Sequence, residues 1–365
     1  MSAMERAAEV AAKLALLRGC LDTTGAGAIC LRGIDWFAWA TAGGSSAVLH
    51  TAELGVAEVL VTRDEAVILT DEIEAARLRD EEIPAGFTFH VTPWAQVELR
   101  ERYVLGVAGA GPVLSDRPHG QEQPLPNALR QRRLVLTPSE QARYRLLGRE
   151  AAEAMTEVMR AARPEWTEYE LAGAGAAALW KRGIHPALVL AAGERRLPAY
   201  RHPTPSHAPL GARAMLVFCA RRHGLYANLT RCVAFGGAGP AAQEQSALMD
   251  VEATGLATVV PGKSLSAVYH AFAAAYHHAD RQGAIDEHHQ GGITGYLARE
   301  IVATASTATP LEEGMAFAFN PSFAGLKIED TFLLGPHGLD NLTLDPQWPA
   351  VIVHGRQRPL WLETN

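Results

Sequence analysis

The chain has 365 residues, of which 48% are hydrophobic and 20% are charged, and its formal net charge is −7 at pH 7. This composition is typical of a soluble globular protein, and the length favours two domains. A nucleic acid or an anionic membrane is not expected as a partner, because phosphate binding needs an excess of Lys and Arg on one face. No apolar run of 18 residues occurs, so no membrane span is predicted.

The first 25 residues have the pattern of an amphipathic helix and include Glu5 and Glu9. A secretory signal would need a continuous apolar segment and a small-residue cleavage site, so a cytoplasmic location is expected. The four cysteines have no Cys-Xaa-Xaa-Cys spacing. In a cytoplasmic chain of this length they are expected to be reduced.

Residues 1–136 are predicted to form a smaller domain in which helices and strands alternate. Helices are predicted at about 3–19 and, as a charged segment, at 72–82. Short apolar runs predict strands, and two of them flank a turn at 63–65 that indicates a hairpin; the runs are 28–31, 36–44, 56–62, 66–70, 104–108 and 112–114. The aromatic residues at 36–39 are predicted to be core at strand spacing. Residues 116–132 are rich in Pro, Gln and Arg, which favours a linker or crossing loop.

Residue 137 begins a second region with a strong helix start signal. Thr137 can cap the helix, Pro138 suits its first turn, and Glu140 completes a capping box. Helices are predicted to about residue 163, over 167–181, and later over 240–259 and 264–281. Strands are predicted for six apolar segments, 185–191, 214–220, 227–236, 316–322, 326–335 and 350–355.

Three segments of this region carry a family resemblance: 215–231 (MLVFCARRHGLYANLTR), 287–300 (EHHQGGITGYLARE) and 314–331 (GMAFAFNPSFAGLKIEDT). In order and spacing they resemble the creatinase/aminopeptidase P (M24) superfamily, and the resemblance spans nearly the whole chain. It implies a mixed α/β (α+β) fold with a smaller N-terminal creatinase-like domain, 1–136, and a C-terminal pita-bread domain, 137–365. It also implies a homodimer.

The chain departs from that family at the metal-binding positions. The resemblance places the family's five metal ligands at Val217, Asn228, Gly292, Asn320 and Glu329, and only the last keeps a ligand side chain. Two adjacent divalent ions need bridging carboxylates and imidazoles, which valine, glycine and neutral amides do not supply. No dinuclear metal site and no other cofactor are therefore expected. A weak single-ion site that uses Glu329 and a nearby histidine is the alternative.

Three residues are predicted to be catalytic. His288 matches the family's non-ligand active-site histidine by resemblance, and an imidazole titrates near neutral pH. His202 lies on a proline-rich loop that resembles the loop delivering a second histidine. Glu329 is expected to have a carboxylate that is free to bind a cation or accept a proton. The alternatives are a core role for His288 and an ion pair between Glu329 and Lys327, two residues before it.

Five residues are predicted to bind substrate. Tyr200 stands in register with the family's substrate-binding histidine on that loop, and Arg299 could bind a carboxylate with its two-pronged guanidinium. The amides of Asn228 and Asn320 could orient a water or a carbonyl. His289 is a weaker candidate, because in an extended segment it would point away from the residue before it.

These residues predict a metal-independent hydrolase that cleaves an amide- or amidine-type C–N bond of a small polar molecule by His/Glu acid–base chemistry. The same groups could abstract a proton without water, so a lyase stays open. One further alternative is a non-catalytic pita-bread domain that binds a peptide or protein partner. Another is an Xaa-Pro aminopeptidase-like peptidase that uses a single metal ion.

Overall fold

The computed structural model describes residues 2–364 and divides into two compact units. One unit comprises the chain up to Arg133 together with His223–Leu225, and the other comprises Leu134–Arg222 and the chain from Tyr226 onward. Helices and mixed sheets occur throughout, which confirms the expected α/β class. The four cysteines carry free thiols, as predicted. None of the helices within residues 2–364 is long and apolar enough to cross a membrane.

The first unit is built on a six-stranded mixed sheet. Its strands are β1 (Ala28–Gly33), β2 (Leu54–Val61), β3 (Ala66–Asp71), β4 (Thr88–Thr92), β5 (Val113–Ser115) and β6 (Gln123–Pro124). Their order is β4-β3-β2-β1-β5-β6, and β2 and β3 form the predicted hairpin. The helices in this part of the chain are α1 (Ala3–Thr24), α2 (Ile34–Ala40), α3 (Ala75–Arg77) followed by a π-helical turn (Leu78–Glu82), α4 (Val97–Ala108) and α5 (Asn127–Leu134).

Three predictions for this unit are wrong. The aromatic run after residue 34 is buried as expected, but it forms α2, and Trp36 and Trp39 meet at helical spacing with ring centroids 5.3 Å apart. Residues 104–108 continue α4 instead of forming a strand, and the predicted linker contains α5. The first two errors share a physical reason, because a short apolar run is equally compatible with a buried helix and a buried strand. The third arises because α5 is short and largely polar, so no apolar period marks it in the sequence.

The helices of the second unit are α6 (Pro138–Ala161), α7 (Glu168–Trp180), α8 (Pro240–Ala257), α9 (Leu265–His278) and α10 (Ala284–Glu287). The first four agree with the predicted segments, and the short α10 was not predicted. The predicted capping box opens α6, because the Thr137 hydroxyl accepts the N–H of Glu140 and the Glu140 carboxylate accepts the N–H of Thr137. The same exchange between Thr167 and Glu170 opens α7.

The second unit contains two larger sheets and two small hairpins. Its strands are β7 (His185–Gly193), β8 (Arg213–Arg222), β9 (Leu225–Phe235), β10 (Gly291–Thr294), β11 (Ile301–Val302), β12 (Ala316–Phe319), β13 (Ser322–Phe323), β14 (Leu326–Lys327), β15 (Asp330–Gly335), β16 (Gly338–Asn341), β17 (Ala350–Val353), β18 (Arg356–Pro359) and β19 (Leu362–Thr364). One sheet has the order β19-β9-β8-β7 and the other β11-β10-β12-β15-β16. The pairs β13-β14 and β17-β18 form the hairpins.

The two larger sheets meet where β9 runs beside the start of β15. Thr230 and Glu329 form an isolated antiparallel bridge at this junction. Apolar side chains beneath it, including Phe272, Phe317 and Phe332, are fully buried and belong to one core cluster. The junction is therefore rigidly supported, and most of the predicted site residues lie on the segments around it.

Candidate functional site

The bridge between β9 and the start of β15 brings two predicted residues together. The N–H of Thr230 donates to the carbonyl of Glu329 at 3.0 Å, and the N–H of Asn228 donates to the hydroxyl of Thr331 at 2.7 Å. Asn228 and Thr230 are two residues apart on β9, so their side chains lie on the same face. The Thr230 hydroxyl donates to Glu329 Oε2 at 2.8 Å on that face.

Glu329 is held by two cations. Its Oε1 accepts from Arg299 Nη2 at 2.7 Å, and its Oε2 lies 3.2 Å from Lys327 Nζ. Burial would raise the pKa of this carboxyl, but the charges of Lys327 and Arg299 and the hydrogen bonds from Arg299 and Thr230 lower it to about 2. Because both oxygens are engaged by Arg299, Lys327 and Thr230, the expectation of a free carboxylate is wrong. The ion pair with Lys327, which the sequence offered as the alternative, is present.

Three histidines gather beside this ion cluster. His288 Nε2 lies 3.0 Å from His202 Nε2, and the ring centroids of His288 and His289 are 4.7 Å apart. His289 also lies 5.6 Å from His202, centroid to centroid, so the expectation that it points away is wrong. Strand alternation does not apply here, because α10 ends just before these residues and Gly291 has a φ of +86°.

Tyr200 does not share the contact that His202 makes. Its side chain is 52% exposed, and its ring is covered by the guanidinium of Arg196 at 5.1 Å from the centroid. Arg201 between them forms an ion pair with Glu287. Of the residues on this proline-rich loop, His202 is the one that the structure brings to His288.

The three imidazoles are neutral at pH 7. Burial, followed by the charge of Lys327, lowers the pKa of His288 to about 3. Partial burial, followed by the charge of Arg299, lowers the pKa of His289 to about 4, and partial burial also lowers the pKa of His202, while both side chains keep contact with solvent. A neutral imidazole carries one N–H and one lone pair. Gly291 N–H donates to His289 Nδ1 at 3.2 Å, which leaves the proton of His289 on Nε2.

Several buried polar atoms here have no hydrogen-bond partner within residues 2–364. They are Asn228 Oδ1, Asn320 Oδ1, His288 Nδ1 and Arg299 Nε. Asn228 is fully buried, and its Nδ2 donates to Thr294 Oγ1 at 3.1 Å and to the Ala298 carbonyl at 3.4 Å. Leaving such an atom unpaired is costly, so each of the four indicates a position for water or a ligand.

The side chains at the five family metal positions do not fit two metal ions. Gly292 lies on β10 against β11, and a Cβ atom built there would be 2.1 Å from the Ile301 carbonyl oxygen, so the pairing of these strands leaves no room for a histidine. Val217 belongs to the apolar core, and Asn228 and Asn320 are neutral. Glu329 has its two oxygens engaged by cations and a hydroxyl.

The three histidines are the group whose geometry comes nearest to a metal site. Ligand nitrogens of His202, His288 and His289 all lie within 4.8 Å of one another. Two observations oppose an ion here. The lone pair of His289 on Nδ1 already accepts the Gly291 N–H, and the charge of Lys327 acts on all three rings. A cation would therefore bind close to a fixed positive charge.

A second ion cluster lies behind Glu329. Asp330 pairs with Arg231 Nη2 at 2.7 Å and with Arg358 Nη1 at 2.9 Å, and Arg358 also pairs with Glu252. All four side chains are at least 97% buried. Their burial and pairing indicate a structural role for Arg231 and Asp330. Sequence reasoning overlooked Lys327 as a member of the site itself, although its spacing of two from Glu329 was a sufficient signal.

Residues 142–336 match the family model described as metallopeptidase family M24. The matched segment is more than half of the chain. This protein belongs to the M24 family. The segments that carry the resemblance in the sequence fall within or overlap the matched region, so the expected membership of the creatinase/aminopeptidase P superfamily is confirmed.

Solved structures extend the likeness over both units of the M24 chain. The prolidase from Pyrococcus horikoshii OT3 superposes with a TM-score of 0.77 at 16% identity, over 91% of this chain and 98% of that one. The X-Pro aminopeptidase from Thermotoga maritima MSB8 gives 0.75 at 17%, over 96% and 99%. The N-terminal domain of FACT complex subunit SPT16 from chickpea gives 0.69 at 13%, over 92% and 96%. At these identities the likeness establishes the fold. No curated protein matches the sequence.

Proposed function

We propose that this M24 protein hydrolyses an amide- or amidine-type C–N bond in a small polar substrate without the dinuclear metal centre of its family. The observation that carries the proposal is the environment of Glu329. Its charge is already satisfied by Lys327 and Arg299, while a hydrogen-bonded pair of neutral histidines stands beside it. The site thus offers proton-transfer groups and fixed positive charge in place of metal ligands.

The proposed reaction uses the pair His288 and His202. When His288 donates its Nε2–H to His202, its buried Nδ1 carries the lone pair and has no partner within residues 2–364. A water hydrogen-bonded to Nδ1 loses a proton to His288 as its oxygen bonds to the substrate carbon. The proton then passes to the leaving nitrogen as the C–N bond breaks, so the histidine ends as it began.

Lys327 is assigned to the negative charge that develops on the substrate. This residue is 94% buried, and its ammonium carries three N–H donors, of which one is directed at Glu329. Fixed donors in a site of low polarity stabilise an oxyanion more strongly than water does. Glu329 acts as a positioning residue in this scheme, because it holds both cations through its two oxygens.

The test is turnover by the full chain after treatment with a chelator, on a panel of amides and amidines of small carboxylic acids. We expect turnover that added Mn²⁺, Co²⁺ or Zn²⁺ does not increase. His288→Gln is expected to reduce kcat by about 10²- to 10⁴-fold, the usual contribution of a proton-transfer group. The matched control is His270→Gln on α9, where the histidine is exposed. Full activity of His288→Gln would remove the assignment.

A peptidase that uses a single metal ion is the second candidate. The observation in its favour is the trio of imidazoles whose ligand nitrogens lie within 4.8 Å of one another. In that case, metal added to the chelated protein restores cleavage of Xaa-Pro dipeptides, and His289→Gln abolishes the restoration. Activity that is the same before and after chelation excludes this candidate in favour of the first.

A non-catalytic role predicts that no compound of either panel is cleaved. The likeness to the SPT16 domain, a FACT complex subunit from chickpea, favours such a role for the fold. For assembly and location we propose a cytoplasmic homodimer on the basis of family resemblance. Sedimentation velocity of the full chain tests the dimer, since a single species at the mass of one chain would contradict it.

A further inference from the structure

We propose that the site selects a substrate with two features: a carboxylate, bound by Lys327 and Arg299, and a neutral N–H next to the scissile bond, bound by the amide oxygens of Asn228 and Asn320. The chemical class is an N-acyl or ureido carboxylic acid. This inference rests on the proposed hydrolytic function for its reaction and adds the chemistry by which the substrate is recognised.

The charge of the site favours an anionic ligand. Two cations, Lys327 and Arg299, surround one carboxylate, Glu329. The three groups that pair here, Lys327, Arg299 and Glu329, carry one positive charge in excess, and the neighbouring imidazoles add none at pH 7. A buried excess charge is unfavourable unless it is paired, so an anion is the complementary ligand.

Arg299 and Lys327 keep hydrogen-bond donors that a ligand carboxylate can accept. Arg299 uses Nη2 on Glu329 and Nη1 on the Ala298 carbonyl, and its Nε–H has no partner within residues 2–364. Lys327 carries three N–H donors, and its ammonium is 3.2 Å from one oxygen of Glu329. A carboxylate accepts up to four hydrogen bonds, which matches donors arranged on two neighbouring cations.

The amide oxygens of Asn228 and Asn320 are acceptors that a ligand N–H can reach. The Ala298 carbonyl can only accept, so the atom of Asn228 that faces it at 3.4 Å is the amide nitrogen, and Oδ1 points elsewhere without a partner in the described chain. Asn320 Oδ1 is likewise buried and unpaired. Each oxygen can accept an N–H from the ligand, and where the ligand has one N–H, a water can serve the other oxygen. A cationic donor such as guanidinium is disfavoured beside Lys327 and Arg299, so the donor is a neutral amide or urea N–H.

The inference is tested by calorimetric titration of the full, chelated chain with three related probes. They are N-acetylglycine, N-acetylglycinamide, which lacks the carboxylate, and N-acetylsarcosine, which lacks the N–H. We expect N-acetylglycine to bind about 10- to 100-fold more tightly than its amide, as for hydrogen bonds to charged groups. It should bind about 3- to 10-fold more tightly than N-acetylsarcosine, as for one neutral hydrogen bond.

Substitutions test which side chains cause the preference for the carboxylic acid over its amide. Lys327→Met and Arg299→Met are each expected to reduce the ratio between the acid and its amide, whereas Arg213→Met, on the partly exposed pair with Glu194, leaves it unchanged. If a variant fails to fold, the ratio of the affinities for N-acetylglycine and its amide on the unaltered chain still shows whether the carboxylate is recognised. If N-acetylglycine and its amide bind equally, the site does not recognise a carboxylate. If N-acetylglycine and N-acetylsarcosine bind equally, the site does not recognise the N–H.

Measuring binding and turnover separately distinguishes this inference from the proposed hydrolytic function. Selective binding of N-acetylglycine with no hydrolysis of any amide acid supports the recognition and contradicts the hydrolase. Hydrolysis that is indifferent to the carboxylate supports the hydrolase and contradicts the recognition.

Discussion

Glu329 and Asp330 are neighbours in the chain, and each anchors an ion cluster of its own. Asp330 joins Arg231, Arg358 and Glu252, so that two positive and two negative charges balance. Glu329 joins Arg299 and Lys327, and one positive charge is left over. The first cluster is closed by protein groups. The second borders neutral histidines and buried amide oxygens that have no partner in the described chain.

The difference shows how charge balance separates a structural cluster from a site. Both clusters use buried carboxylates and guanidinium groups, so burial and residue type do not distinguish them. A balanced cluster has no need of a ligand, because each charge already has its counter-charge. An unbalanced cluster with unpaired donors and acceptors is stabilised by whatever supplies the missing anion. This supports a role for the Glu329 cluster in binding and for the Asp330 cluster in stability.

The largest effect is expected from breaking the balanced cluster. Arg358→Met leaves Glu252 buried without its partner and deprives Asp330 of one cation. The free energy of unfolding should fall by about 3–5 kcal/mol, measured by urea denaturation. Lys327→Met should cost less, because Arg299 still pairs with Glu329. A larger loss for Lys327→Met than for Arg358→Met would reverse the comparison.

The next effect concerns the glycine at the family's histidine position. A Cβ at Gly292 would lie 2.1 Å from a backbone oxygen of the neighbouring strand, so Gly292→Ala is expected to destabilise the protein by about 1–3 kcal/mol. Gly283→Ala is the control, since a Cβ there meets nothing within 4 Å and its φ is −72°. Chemical denaturation of both variants measures the difference. Equal stabilities would show that β11 leaves room for a side chain at Gly292.

Stability should depend on pH through the buried imidazole of His288. Its folded pKa of about 3 lies below the unfolded value of about 6.5, so between them the unfolded chain binds more protons and stability falls as pH falls. His288→Asn should reduce this slope by up to about 1.4 kcal/mol per pH unit between pH 6 and 4.5. Glu329, with a lowered pKa of about 2, loses its contribution only as pH falls below about 4.5. Identical slopes for the variant and the unaltered chain would show that His288 does not titrate in this way.

The smallest effect is expected at Tyr200. This side chain is half exposed and packs on Arg196, away from the contact between the histidines. Tyr200→Ala should change the free energy of unfolding by less than about 0.5–1 kcal/mol and leave probe binding unaltered. A loss of N-acetylglycine binding in this variant would show that Tyr200 contacts the ligand.

Local signals in the sequence predicted much of the fold. The exchange between Thr137 and Glu140 opens α6 as predicted, because a capping box is set by residues three apart. The aromatic run at α2 was misassigned, because its short length hides the helical period that Trp36 and Trp39 reveal in space. The family order of motifs located the candidate site, whose function stays a prediction, although each motif alone is short.

The parts of the site that the sequence did not predict depend on distant contacts. Lys327 and Glu329 share a face by alternation and could be paired from sequence alone. The bond from Arg299 to Glu329 joins residues 30 apart and requires the two sheets to meet. His289 joins the cluster through backbone geometry at Gly291, which no alternation rule covers. The pKa values of the histidines follow from that assembly.

The central claim is that fixed cations at Glu329 occupy the electrostatic role that metal ions have in the family. The most direct test is calorimetric titration of the metal-free full chain with Mn²⁺, Co²⁺ and Zn²⁺, together with elemental analysis of the protein as purified. The account predicts no stoichiometric binding and a metal content near zero. Two bound ions per chain, lost in Glu329→Gln, would contradict it.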